Sequence, residues 1–138
     1  MKNKKIAVIG LGYVGLPVSV LFASKYRVVG YDINSKRVNE LNNFKDETLE
    51  IQPKVLKKII NNNLIISNDI DSIKDCNIYI VTVPTPVKKD NTPDLSILIN
   101  ATTTVAKYIS KGDIVIYEST VYPGCTEEIC VPVLENIS

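Results

Sequence analysis

Glycines 10, 12 and 15 are the first residues whose spacing suggests chemistry. The segment Gly10-Leu-Gly-Tyr-Val-Gly15 fits G-x-G-x-x-G and directly follows a short apolar run, Lys5-Ile-Ala-Val-Ile9. Between a strand and a helix the three glycines do different work. Gly10 permits a tight turn, Gly12 lets a pyrophosphate approach backbone without a Cβ in the way, and Gly15 lets the helix pack closely on the sheet. Free N–H groups at that helix start then face the phosphates. Asp32, 20 residues after Gly12, closes a second apolar run. A carboxylate there accepts hydrogen bonds from both hydroxyls of an adenine ribose and repels a 2′-phosphate. Arg37 is placed either to cover the adenosine edge or to tolerate that phosphate. Plainer readings exist: such glycines arise in ordinary turns, Asp32 could cap a helix, and Arg37 could be a solvated helix residue.

Two later stretches carry hydroxyls. Val83-Pro-Thr-Pro86 ends an apolar run and makes Thr85 the polar residue best placed beside the second half of a dinucleotide. Glu118-Ser-Thr-Val-Tyr-Pro-Gly-Cys125 follows another run and offers Ser119 and Thr120 at the same edge. A proline-framed strand end and ordinary turn chemistry are the alternatives. Cys76, Cys125 and Cys130 form no CxxC, and the chain has no histidine to complete a Cys/His zinc site or nucleophilic pair. Reduced intracellular thiols are the expectation.

The elements that must position these residues alternate. Strands are expected at Lys5–Ile9, Arg27–Asp32, Leu64–Ile66, Asn77–Val83 and Asp113–Glu118. The first helix should turn Val14, Val18, Leu21 and Phe22 inward. Asn34 or Ser35 caps a second helix with Val38 and Leu41 inward, and Pro53 starts a third along Val55, Leu56, Ile59 and Ile60. A short helix spans Asp69 to Asp75, Asp94 caps a longer one carrying Leu98 and Val105, and Thr126 caps a last one beginning Glu127-Glu128. This βαβα(α)βαβαβα order predicts a Rossmann-like, doubly wound parallel α/β sheet with helices on both faces, lacking a sixth strand. Ligands of such sheets bind at the carboxyl ends of the strands, where every chemistry-bearing loop above emerges.

The run Ile6–Ser24 carries no charge and follows three lysines, so an export signal or membrane span must be weighed. Three glycines and Pro17 inside it oppose a continuous helix. With 138 residues, 45% hydrophobic and 22% charged content and a formal net charge of +1, the chain suits one globular domain, residues 1–138. That charge exerts no bulk pull on nucleic acid or membrane, and neither is an expected partner.

Taken together, GLGYVGLP, YDIN-x-x-R, VPTP with DNTPDLS, and ESTVYPGCTEE resemble the amino-terminal, NAD-binding part of the UDP-glucose/GDP-mannose dehydrogenase family, over nearly the whole chain. ESTVYPG followed by Thr-Glu-Glu is most similar to the bacterial branch that oxidises UDP-N-acetylhexosamines for surface polysaccharide. The resemblance implies a cytoplasmic enzyme, homo-oligomeric at full length, that oxidises the C6 alcohol of a nucleotide sugar to a carboxylate with two NAD+. It places Gly10 to Gly15 at the pyrophosphate with Tyr13 and Val14 touching it, Asp32 and Arg37 at the adenosine, and Thr85 and Thr120 at the nicotinamide. The family's nucleophilic cysteine, catalytic lysine and asparagine belong to later motifs, so a truncated portion that binds NAD without turnover is expected, with no catalytic residue and no metal. Cys125, in the ESTVYPG turn, is not that nucleophile. A stand-alone NAD(H)-sensing module is the alternative; a different dehydrogenase family would not carry VPTP and ESTVYPG.

Overall fold

A computed structural model describes residues 4–118 and 130–137. Five strands, β1 (Lys5–Ile9), β2 (Arg27–Tyr31), β3 (Leu64–Ser67), β4 (Ile78–Val81) and β5 (Ile114–Tyr117), form one sheet in the order β3-β2-β1-β4-β5. All four pairings are parallel. The chain winds outward from β1 to β3, then returns to β4 on the other side, so the strand order reverses between β1 and β4. That reversal opens a crevice at the strands' carboxyl ends.

Alternation along β1 divides the core. Ile6 and Val8 join a cluster with Leu16, Leu41, Leu56 and Ile80, while Ala7 and Ile9 face a second with Tyr79, Leu98, Val105 and Cys130. The first cluster lies under α1 (Gly15–Ala23), α2 (Ser35–Asn42) and α3 (Pro53–Ile59), and the second under α4 (Ser96–Ala106), which packs on α5 (Val131–Ile137). Both faces of β1 are therefore buried from Ile6 to Ile9, which is why that stretch is uninterrupted apolar sequence. Cys76 lies in the second cluster, where burial pushes its thiol up to about 11 and keeps it a poor nucleophile.

Several elements differ from expectation. In α1 the inward residues are Gly15, Leu16, Ser19 and Ala23; Val18 and Phe22 are only partly buried, and Val14 and Leu21 are exposed. Contact geometry turns the helix: a Cβ on Gly15 would lie 1.7 Å from the Gly10 carbonyl oxygen, so the glycine side must face the sheet. Asn34, not Ser35, caps α2, its side-chain oxygen accepting from the amides of Lys36 and Arg37. The short helix expected over Asp69 to Asp75 is a single 3-10 turn, Ile70–Ile73. Strand β4 stops at Val81, two residues short of Val83, and Asp94 holds the Ser96 amide from one position before the N-cap, Leu95. The expected Thr126 cap lies outside the described residues. No helix among the described residues is long and apolar enough to cross a membrane.

Candidate functional site

A cavity of about 610 Å³ occupies the crevice between β1 and β4. Its walls are the glycine turn (Gly10 to Tyr13), the β2–α2 connection with Asp32 and Arg37, residues Glu47 and Thr48, the exit of β4 (Thr82 to Pro84), and a face of α4 bearing Ile97, Asn100, Ala101 and Thr104.

The turn is shaped by close contacts. Gly10 sits at φ +99°, where a side chain would be strained, and its missing Cβ would press on Val83 at 2.9 Å. Thr82 is buried at the end of β4, and its hydroxyl lies 3.0 Å from the Ile9 carbonyl and 2.6 Å from the Gly10 carbonyl, tying the turn to β4. That hydroxyl is also 2.5 Å from where a Gly15 Cβ would fall. Gly12 is the opposite case: no heavy atom lies within 4 Å of its Cβ position, so a side chain there would occupy open space beside the cavity. The N-terminus of α1 receives no side-chain cap; the Leu16 amide bonds back to the Gly12 carbonyl at 3.2 Å and Pro17 has no N–H, so the helix dipole at the turn is left uncompensated by any side chain.

Asp32 and Arg37 hold one residue, Leu11, by the two peptides that flank it. Asp32 Oδ2 accepts the Leu11 amide at 2.9 Å and Oδ1 accepts the Asn34 amide at 2.9 Å. A carboxylate offers about four acceptor positions, so two remain for a ligand's hydroxyls. Arg37 Nε donates to the Leu11 carbonyl at 2.7 Å, and Nη1 donates to Asp46 at 2.9 Å. Arg37 is thus no solvated residue; it is 8% exposed. Asp46 also accepts from the Thr48 amide and hydroxyl and from the amides of Glu50 and Ile51. Burial raises its pKa, but these hydrogen bonds, with Thr48 and Arg37 foremost, outweigh it and hold the carboxyl at about 2. Burial, then the charges of Asp32 and Asp69, push the Tyr31 phenol up, so it stays protonated.

Of the residues singled out from sequence, Gly10, Gly12, Tyr13, Asp32 and Arg37 line the cavity. Gly15 lies buried beneath the turn and Val14 is exposed at the start of α1; neither is a wall residue. Thr85 follows the wall residue Pro84 without lining the cavity itself. Ser119, Thr120 and Cys125 lie outside the described residues. Sequence reasoning missed Thr82, Glu40 and Asp46, and the α4 wall. The signal for that wall was available: Ile97, Asn100, Ala101 and Thr104 fall at helical spacing on one face.

The residues fit a dinucleotide. An uncapped helix start beside an open Gly12 suits a pyrophosphate, Asp32 retains capacity for a diol, and Arg37 Nη2, buried, has no hydrogen-bond partner among the described residues. Comparison with known proteins agrees. The family model described as the NAD binding domain of the UDP-glucose/GDP-mannose dehydrogenase family matches residues 4–138. The chain is 51% identical over 138 residues to a UDP-N-acetyl-D-glucosamine 6-dehydrogenase of Pseudomonas aeruginosa, covering 100% of this chain and 32% of that one. It is 51% identical over 136 residues to Protein CapL of Staphylococcus aureus, covering 99% and 31%. A UDP-D-ManNAc dehydrogenase structure from Pyrococcus horikoshii superposes with a TM-score of 0.90 at 40% identity, over 96% of this chain and 32% of that one. The chain thus spans about a third of the length of the relatives it matches.

Proposed function

The chain belongs to the UDP-glucose/GDP-mannose dehydrogenase family through its NAD-binding domain, and from that premise we propose that it holds the nicotinamide cofactor of a nucleotide-sugar 6-dehydrogenase. The observation that carries the proposal is the crevice between β1 and β4, whose lining brings the glycine turn, with its open Gly12, together with Asp32 just ahead of the uncapped start of α1. The residues divide the work. Gly10 and Thr82 fix the turn, and Gly12 leaves room for the pyrophosphate at the helix start. Asp32 takes the adenine ribose hydroxyls while holding the Leu11 amide. The nicotinamide side is assigned to the exit of β4, with Thr85 beyond it, and to the hydroxyl-bearing Ser119 and Thr120. When bound, NAD+ supplies the hydride acceptor for oxidising an alcohol.

The substrate proposed is a UDP-N-acetylhexosamine, in keeping with the named activity of the P. aeruginosa relative. Surface polysaccharide synthesis in the cytoplasm by a homo-oligomeric full-length enzyme is the setting that goes with it. Residues 1–138 are proposed to act as one cofactor-holding domain, and this chain alone is expected to turn over no UDP-sugar.

Titration calorimetry tests the proposal. NAD+ should bind, NADP+ should bind at least about tenfold more weakly because Asp32 repels the 2′-phosphate, and Gly12→Val should remove NAD+ binding with an unchanged melting temperature. Equal affinity for the two cofactors would defeat the role given to Asp32. Undiminished binding by Gly12→Val would defeat the pyrophosphate site.

A further inference from the structure

The β2–α2 connection carries two opposite signals. Asp32 suits an unphosphorylated ribose, yet Arg37, five residues on, is the type of residue that accommodates a 2′-phosphate. Its surroundings decide which signal prevails. Arg37 Nε is committed to the Leu11 carbonyl, while Nη1 donates to Asp46 at 2.9 Å and lies 3.4 Å from Glu40. Both carboxylates are themselves anchored. Asp46 accepts from the 48–51 segment, and Glu40 Oε2 accepts the Glu47 amide at 3.0 Å. Two carboxylates on one guanidinium leave the trio with a net charge of about −1. Arg37 and Glu40 line the same cavity as Asp32, and among the described residues Nη2 has no partner. A bidentate grip on a phosphate needs two parallel N–H groups. With Nε on Leu11 and Nη1 shared by two acids, such a grip would have to break an existing contact.

We propose that Asp46 and Glu40 are specificity-determining residues for the dinucleotide, holding Arg37 against the glycine turn and cancelling its charge. The arginine then offers Nη2 to a ribose hydroxyl or the adenine edge, and no cationic fork to a 2′-phosphate. The inference rests on the nucleotide-binding function proposed above. Asp46 touches no ligand in this scheme; it acts through Arg37 and is a positioning residue.

Titrating the chain and its variants with NAD+ and NADP+ separately provides the test. Glu40→Gln removes a charge but keeps an amide oxygen for the Glu47 N–H. It should lower the NAD+:NADP+ affinity ratio about fivefold, and Asp46→Asn should lower it about tenfold, chiefly through gained NADP+ affinity. In an Arg37→Gln background Glu40→Gln should leave the ratio unmoved, because the route through the guanidinium is gone. Equal weakening of both cofactors by Glu40→Gln and Asp46→Asn would mean a purely structural role and overturn the inference. A ratio shift that persists without Arg37 would overturn it too, by showing that Glu40 acts directly. NAD+ binding by the unsubstituted chain with an unmoved ratio in both variants defeats this inference alone. Failure of the unsubstituted chain to bind NAD+ defeats the cofactor site itself and the inference with it.

Discussion

The two sides of the crevice are built differently. On the β1–β2 side the turn is closed by the chain's own groups: Leu11 is fully buried, its amide and carbonyl are held by Asp32 and Arg37, and Arg37 is held by Asp46. Beyond β4, on one face of β5, the described residues leave the same sheet uncovered. Ile78 and Ile80 of β4 lie on the face packed by α1 to α3, but their register partners Ile114 and Ile116 are 53% and 38% exposed. One side is therefore a preorganised cradle in which Gly10, Leu11 and Gly15 have little room and only Gly12 is open. The other is a strand of which one face, Ile114 and Ile116, contributes little to burial, while Val115 and Tyr117 pack on the second cluster. Substitutions should accordingly be costly in the cradle and nearly silent on the Ile114 and Ile116 face of β5.

The largest effect is expected at Gly15. Adding one methyl group there puts a carbon 1.7 Å from the Gly10 carbonyl oxygen and 2.5 Å from the Thr82 hydroxyl, and backbone cannot yield as a flexible side chain does. Gly15→Ala should destabilise the chain by roughly 3 kcal/mol or more, near the upper end for overpacking, despite alanine's better helix propensity. Denaturant unfolding measures it. A loss below about 1 kcal/mol would show that α1 can move off the sheet, and that the cradle is not rigid.

This same contact explains what sequence could and could not convey. The order of strands and helices was legible because the strands are short runs rich in β-branched residues, most of them with glycine, proline or asparagine close to an end. Asp32 and the glycines were legible because the nucleotide turn fixes their spacing. The inward face of α1 was not. Residues 15–23 are apolar except for Ser19, so periodicity singles out no face, and the helix is oriented by the Gly15 contact instead of by its larger side chains. Asp46 was equally hidden. It lies in a loop without periodic pattern, nine positions from the arginine it holds, and only the folded loop brings the two together. Thr82 was masked by the proline-framed Thr85 three positions later, whereas the residue that braces the turn is the one still running beside β1.

Acid sharpens the comparison at an intermediate magnitude. Asp46 titrates at about 2 in the folded chain against an ordinary 3.8. Its folded pKa is depressed, so its stabilisation is complete above about pH 4 and is lost as pH falls through about 2. The shift corresponds to about 2 kcal/mol. Asp46→Asn should therefore be less stable than the unsubstituted chain at pH 6, and the gap should narrow by about that amount between pH 4 and pH 2. Other carboxylates titrate alike in both proteins and cancel in the difference. A gap independent of pH would mean that Asp46 is held by its shape and not by its charge.

The smallest effect is expected at β5, and a matched pair isolates it. Ile116 and Ile80 are register partners on adjacent parallel strands, so the same change can be made on both sides of the boundary. Ile80 is 3% exposed, and Ile80→Thr both removes methyl-group packing and buries a hydroxyl, which should cost about 2–3 kcal/mol. Ile116→Thr keeps a β-branched residue on a strand and leaves its hydroxyl access to water, so it should change stability by no more than about 0.5 kcal/mol. Chemical denaturation of the two variants side by side reads the ratio directly. If Ile116→Thr costs as much as Ile80→Thr, β5 is as well covered as β4, and the contrast between a closed side and an open side fails where it is most clearly drawn.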